Sequence, residues 1–334
     1  MMVALPLRIC AMATRVEDQD LVRDLAERWP EKVIPGFGFH PWFSHKIYLK
    51  DGPPPSRLEH YASLFLPDLD PEEAIKDSDF AALFPSLPDP IPLSAVLKSI
   101  RANLEAFPHA MLGEVGLDRV FRIPFPEPES SSTGSPPRTS TNKKLSPFTI
   151  HSLHSVKAQQ ATVDLIKNCS TRYGSAWDQV SLDFHSCGLS AETWGDIEKA
   201  HSNVYLSLST ALNARSRAHE ALVRACDPTR ILVESDYPDV RYCAPNSWDM
   251  LLIIAKLKDW WVEENEDDVA REEKDGKGKG AVRRIQENWE AFVRGNHVRT
   301  RPRQSGKIRK QNNFPHAEED WVSDGEDEVI LPRT

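Results

Sequence analysis

The chain predicts an α/β fold in which parallel strands are joined by helical crossovers, and two observations predict it. Short apolar runs alternate along the sequence with longer segments whose apolar residues recur at helical spacing, which is the pattern of consecutive β-α-β units. Four of the apolar runs end in a carboxylate or an imidazole, at Glu114, His154, His185 and Asp236. In a (β/α)8 barrel, catalytic groups gather at the C-terminal ends of the strands, which is where this chain puts those four. Seven strands can be counted, one short of a closed barrel.

The first strand is Leu7 to Thr14, followed by an amphipathic helix from Glu17 to Trp29 with Leu21, Val22, Leu25 and Ala26 on one face. Val33 to Phe39 is the second strand and runs into Gly36-Phe37-Gly38-Phe39-His40-Pro41-Trp42. Residues 44–92 read as loop-rich, with Pro53-Pro54-Pro55 and one short helix near Arg57 to Phe65. Pro92 to Phe107 predicts a helix that begins at a proline and carries Leu93, Val96, Leu97, Ile100 and Leu104 on one face. Ala110 to Leu112 is a strand that delivers Glu114.

The stretch 119–148 is a Pro- and Ser-rich low-complexity loop. A strand at Ile150 to His154 and a helix from Val156 to about Cys169 follow it. Gln179 to His185 is a strand. Ser190 caps a helix reaching His201, with Thr193 three residues on. Val204 to Ser209 is a strand, Ala211 to Cys226 a helix, and Arg230 to Asp236 the last strand. Ser247 to Val262 is a helix with Met250, Leu251, Ile254, Leu257 and Trp261 on its apolar face. A charged insert, 263–280, separates it from a final helix, Ala281 to Val293. The organisation is therefore one barrel domain over residues 1–294 and a charged tail over 295–334, whose basic and acidic blocks read as solvated disorder.

Composition narrows the function. The net charge of −9 argues against a general nucleic-acid coat protein, although a bound metal would change the local field more than net charge does. Five cysteines, odd in number and without a Cys-x-x-Cys, fit free thiols in a reducing compartment. No run approaches the eighteen or so apolar residues of a membrane-spanning helix. Met1 to Ala13 is apolar but is interrupted by Pro6 and Arg8, so it reads as a strand and not as a secretory signal. Cytosol or nucleus is the expected address.

Glu114, His154, His185 and Asp236 are hard-oxygen and imidazole donors that suit Zn, Mn or Mg rather than a thiolate-seeking metal. Two such ions can clamp a phosphodiester and acidify a bridging water. Taken singly, a strand-end Glu more often caps a helix and a strand His is more often a satisfied core residue. Four together, each ending its own strand, favour a site.

The motifs around these residues resemble the TatD-related deoxyribonucleases. Gly36 to Trp42 resembles their G-x-H-P turn, and Gly113-Glu114-Val115-Gly116-Leu117-Asp118 their G-E-x-G-L-D. Ser152-Leu153-His154-Ser155 sits where they carry a ligating His. Asp183-Phe184-His185-Ser186-Cys187-Gly188 is similar to H-x-F/C-x-G, and Val233-Glu234-Ser235-Asp236-Tyr237-Pro238 to E-S/T-D-x-P. The resemblance runs from about residue 7 to 294. It implies a TIM-like barrel of the metal-dependent hydrolase superfamily that uses divalent metal ions, up to two in the family. Glu114 would bridge or bind the metals, with His154 and His185 as further ligands. Asp236 would hold a metal and orient or deprotonate the attacking water. His40, Arg119 and Lys157 would contact a substrate phosphate, and Cys187 would pack. The wording is closest to a fungal branch of interactors of a tetratricopeptide-repeat (TPR) subunit of the anaphase-promoting complex. That implies a TPR-type protein partner beside a DNA or other phosphoester substrate.

The chain departs from the family in one respect. The family's first strand carries Asp-x-His-x-His, and no His-x-His occurs here. The first strand in this sequence corresponds to the family's second, and the crossover helix after the Glu114 strand is replaced by the low-complexity loop. The expected fold is thus a barrel lacking its first strand and one crossover helix. Either the sequence is an incomplete reading of an intact hydrolase, or a diverged member kept the scaffold, weakened its metal site and binds a protein partner instead.

Overall fold

The computed structural model describes residues 7–49, 52–116, 123, 156–213, 217–265, 268, 278–295 and 297. The expected low-complexity loop 119–148 lies outside them apart from residue 123, as do the strand at Ile150 to His154, most of the charged insert and, apart from 295 and 297, the tail. The described residues form an α/β structure with parallel sheets. Strands β1 (Ile9–Ala13), β2 (Val33–Phe37) and β5 (Met111–Leu112) make one sheet in the order β1-β2-β5. Strands β6 (Leu182–Phe184), β7 (Val204–Leu208) and β8 (Ile231–Val233) make a second in the order β6-β7-β8. All four pairings are parallel. Six of the seven strands expected from the apolar runs are therefore present, and the seventh falls outside the described residues.

Each sheet is covered by helices whose starts are written in the sequence. Helix α7 (Ala191–Ala200) begins where Ser190 accepts a hydrogen bond from the Thr193 amide, as the spacing predicts. With α9 (Arg217–Ala225), α10 (Val240–Lys258) and α11 (Ala281–Arg294) it packs on the second sheet. The core there centres on Trp194, Leu206, Leu208, Leu222, Ile231, Met250 and Ile254, all buried. Every residue of β7 is buried, as a central strand covered on both faces requires. Helix α10 starts seven residues earlier than the sequence predicts. Asp239 caps it through the Arg241 amide at 2.9 Å, and Pro245 is accommodated in its second turn rather than setting its start.

On the first sheet, α1 (Val16–Arg28) and α5 (Leu93–Ala106) cover a core of Ala13, Val22, Phe37, Val96 and Ile100. The apolar stripes predicted for these helices are rotated. Leu21 and Leu97 stand 67% and 55% exposed, while Gln19 and Asn103 are buried. The reason is a polar link between the two helices. Asn103 Nδ2 donates to Gln19 Oε1 at 2.7 Å, Gln19 Nε2 donates to the Gly38 carbonyl at 3.0 Å, and Arg23 donates to Asn103 Oδ1. Buried amides that satisfy one another in this way override hydrophobic periodicity.

The stretch 44–92 corrects the expectation of a loop-rich segment. It forms α2 (Arg57–Phe65), α3 (Pro71–Ala74) and α4 (Ser78–Leu83), with a two-stranded parallel pair, β3 (Ile47–Tyr48) and β4 (Ile91–Pro92). Tyr61, Phe65, Phe80, Leu83 and Leu87 give it a core of its own. Capping, not length, sustains these short helices. Ser56 and Glu59 form a reciprocal capping box, and Asp70 and Asp77 accept from the next turn.

Glu263, counted from the sequence as the start of a charged insert, is buried. It accepts from the Val282 and Arg283 amides at 2.8 and 3.1 Å and so caps α11 from a distance. A Cβ on Gly280 would lie 2.2 Å from its carboxyl carbon, so the glycine makes room for it. Glu263→Ala leaves two helix N–H groups unpartnered and removes an anion from the positive end of the helix. A loss of about 1–2 kcal/mol in a urea titration is expected.

Candidate functional site

The site is built from the residues that follow three strand ends. Glu114 follows β5, His185 follows β6, and Asp236 follows β8. His185 joins them. Its Nε2 lies 3.3 Å from Glu114 Oε1 and 3.3 Å from Asp236 Oδ1. The three residues expected from the sequence to share a site, and lying within the described residues, are thus brought together. His154 and Arg119 lie outside the described residues. Lys157 falls in the first turn of α6 (Val156–Tyr173), and its side chain lies outside them too.

Two residues not assigned a role from sequence complete the arrangement. Glu234 accepts from His185 Nδ1 at 2.6 Å, from the Ser186 amide at 2.8 Å and from the Ser207 hydroxyl at 2.6 Å. Asp183 Oδ2 lies 2.7 Å from the same Ser207 hydroxyl, while its buried Oδ1 has no hydrogen-bond partner among the described residues. The signal for both was strand alternation. Side chains at i and i+2 share a face, so Asp183 accompanies His185 and Glu234 accompanies Asp236. Ser186 and Asp236 both adopt left-handed backbone, at φ 41° and 48°, so each turns sharply as it leaves its strand.

His40 is expected to meet substrate. In the structure its Nε2 lies 3.1 Å from Glu114 Oε2, and its Nδ1 accepts from the Trp42 amide at 3.3 Å. An Nδ1 that accepts leaves the ring proton on Nε2, so His40 donates to Glu114 and fixes its orientation. Cys187 is buried as expected for packing, and burial pushes its thiol well up. The five cysteines are free thiols.

Electrostatics distinguishes the carboxylates. Burial alone would favour the neutral form of Asp183, and the adjacent Glu234 charge adds to it, so its carboxyl is raised to about 7. Hydrogen-bond counting agrees. The Ser207 hydroxyl has one proton and contacts two carboxyls, so one contact needs a proton from the carboxyl side. Stability tied to that proton falls as pH rises from 3.8 to about 7. Burial would lower His185, but the Glu234 charge and the hydrogen bonds to Asp236 and Glu234 outweigh it and raise the imidazole to about 12. Its proton contributes stability that is full below pH 6.5 and lost as pH climbs toward 12. Burial is likewise outweighed at Glu114, where the His40 hydrogen bond holds the carboxyl low, and at Asp236, where His185 does the same.

The donor set fits a divalent cation. Four carboxylates lie around His185, and Asp183 Oδ1 is buried without a hydrogen-bond partner among the described residues. Asp183, His185 and Glu234 can bring one ligand atom each within 4.8 Å of one another. The opposite side of the same imidazole groups Glu114, His185 Nε2 and Asp236. The second grouping is the better inner set, because Glu234 is already saturated by donors from Ser186, Ser207 and His185 Nδ1. A carboxylate holding the far nitrogen of a ligating histidine is the usual outer partner of such a site.

The sequence profile of TatD related DNase matches residues 6–272. Cut9-interacting protein scn1 of Schizosaccharomyces pombe is 26% identical over 309 residues, covering 77% of this chain and 87% of that protein. A Saccharomyces cerevisiae protein named as an uncharacterized deoxyribonuclease is 26% identical over 314 residues, covering 85% and 90%. A solved structure, an uncharacterized amidohydrolase from Saccharomyces cerevisiae, aligns over 86% of this chain and 85% of its own at 12% identity and a TM-score of 0.39. The profile match runs from β1 past the end of α10 and takes in Glu114, His185 and Asp236 together. The chain belongs to the TatD related DNase family.

Proposed function

We propose that this protein is a metal-dependent hydrolase of phosphodiester bonds, of deoxyribonuclease type. The observation that carries the reading is the convergence of Glu114, His185 Nε2 and Asp236 from three strand ends within 3.3 Å contacts. The two sheets are read as arcs of one TIM-like barrel, since ligand-type residues at the C-terminal ends of both meet at His185. Glu114, His185 and Asp236, with His154 as a further ligand, would hold Zn, Mn or Mg. Such an ion would supply Lewis acidity toward the phosphoryl group and lower the pKa of attacking water. The chain supplies the rest. Glu234 fixes the imidazole through Nδ1, and His40 fixes Glu114. Asp236 accepts the proton of the attacking water, and Arg119 and Lys157 steady the phosphate.

Purified protein should carry about one to two equivalents of zinc or manganese and cleave an oligonucleotide, with EDTA abolishing cleavage. Activity unchanged in both Glu114→Ala and Asp236→Ala would sink the assignment. The imidazole must lose its Nε2 proton to ligate. Apparent metal affinity should therefore rise about tenfold per pH unit at any working pH, all of it below the imidazole's folded-state value of about 12, with about one proton released per His185 engaged. Calorimetry in two buffers of different ionisation enthalpy reads this directly. A flat pH profile would remove His185 from the ligand set.

A second reading is favoured by the S. pombe relative, whose name records interaction with Cut9. In it the chain is a catalytically impaired scaffold that docks a helical-repeat protein such as a TPR-type subunit of the anaphase-promoting complex. It requires neither metal nor turnover, and binding intact in both alanine variants.

A further inference from the structure

The rim of the site carries aromatic surface that the chemistry described so far does not use. Tyr237 directly follows Asp236, and its ring meets Tyr242 edge-on, with centroids 5.1 Å apart and planes at 62°. Tyr242 is 46% exposed, although the neighbouring Cys243 turns inward and is buried. On the other sheet, the His40 ring that holds Glu114 meets the Trp42 ring edge-on at 4.9 Å and 81°. An aromatic pair therefore adjoins the carboxylate pocket on each side, one next to Asp236 and one next to Glu114.

The cation beside the Tyr242 ring is already committed. Arg241 lies 5.8 Å from the Tyr242 ring but is held by Asp239 through bonds from Nε at 2.8 and 3.0 Å. A guanidinium paired with a carboxylate makes a poor phosphate anchor. What the Tyr242 rim offers a ligand is flat, partly exposed ring surface. Such rings stack on unpaired bases whatever their identity, because every base has a π-face. A base in a duplex is already stacked on its neighbours and does not present that face.

We infer that Tyr242, oriented by Tyr237, is a specificity-determining residue that stacks on the unpaired base flanking the scissile phosphodiester, with Trp42 receiving the base on the other side. This rests on the reading of the site as a phosphodiesterase. It commits the substrate to a single strand or a frayed end, whose flanking base is held by stacking.

The test compares wild type, Tyr242→Ala and Tyr242→Trp on two substrates, a single-stranded oligothymidylate and bis-p-nitrophenyl phosphate, which lacks bases. The alanine variant should lose about 5- to 100-fold in kcat/KM on the oligonucleotide and nothing on the small diester, and the tryptophan variant should recover the loss. Equal losses on both substrates, or no loss on either, would overturn the assignment. A separate arm measures anisotropy of a labelled oligothymidylate with EDTA present, which needs no turnover. Weaker binding by Tyr242→Ala there supports the stacking role even if neither substrate is cleaved, the outcome that would instead refute the phosphodiesterase reading. Unchanged binding, or no binding by wild type, overturns the stacking role. Tighter binding of duplex than of single strand does so as well.

Discussion

Asp236→Asn should lower kcat of oligonucleotide cleavage by about 10³-fold while the protein remains folded. The substitution keeps the shape of the side chain and removes its charge and basicity. Asp236 contacts His185 Nε2 at 3.3 Å through Oδ1 and Ser186 Oγ at 3.4 Å through Oδ2; the amide oxygen of Asn can keep the first contact, and its NH2 can donate to the Ser186 hydroxyl in place of the second. What is lost is the ability to accept a proton from attacking water, which contributes about 10²- to 10⁴-fold in comparable sites, together with an anionic ligand. Burial disfavours the charge, yet the His185 hydrogen bond keeps the carboxyl below its ordinary range. It is therefore ionised across the working pH. The measurement is single-turnover cleavage at saturating manganese, with a thermal melt of each protein. A variant retaining a tenth of wild-type kcat would show that the base lies elsewhere. The comparison variant is Glu234→Gln. It should weaken metal binding by about 10- to 100-fold, as loss of an outer partner does, with a smaller effect on kcat once metal is saturating.

Gly38→Ala should cost about 10²-fold in kcat without touching a charged group. A Cβ at residue 38 would fall 2.3 Å from the Gly113 carbonyl carbon, 2.4 Å from its oxygen and 2.6 Å from the Glu114 amide nitrogen. These are backbone atoms and cannot rotate away. The end of β5 must move, and Glu114 with it. A misplacement on the order of 1 Å is enough for a loss of that size. Gly36→Ala is the control. Its Cβ would meet chiefly Met12 Sδ at 2.0 Å, and a flexible thioether can yield. Equal losses in the two variants would show that the effect is general destabilisation and not displacement of Glu114.

Much of the second sheet is legible in the sequence alone. Val204 to Leu208 and Ile231 to Val233 are apolar runs too short for helices, and Ser190 and Thr193 mark a helix start that the structure keeps to the residue. These features are local, so local pattern finds them. The stretch 44–92 is not legible in the same way, because its helices are shorter than the window over which periodicity can be judged. Asp70-Pro71 and Asp77-Ser78 were readable caps, but each introduces a single turn or little more. Spacing alone puts Leu21 and Leu97 inward, yet both are exposed. Their exposure follows from the amide pair Gln19–Asn103, partners 84 positions apart that no helical wheel connects.

The site divides along the same line. By itself the sequence determined which side chains end the strands, and with them the residue types that suit a hard cation: Glu114, His185 and Asp236. Only the tertiary structure decided how they are used. It turned His185 so that Nδ1 faces Glu234 and Nε2 faces Glu114 and Asp236. It directed His40 to Glu114, and it buried Asp183 beside Glu234 so that one of the two keeps a proton. The physical reason is range. A strand and its terminal residue are specified by neighbours a few positions apart. Ring orientation, tautomer and protonation are set by Coulomb and hydrogen-bond terms between residues dozens of positions apart, which come within 3–4 Å only when the chain has folded.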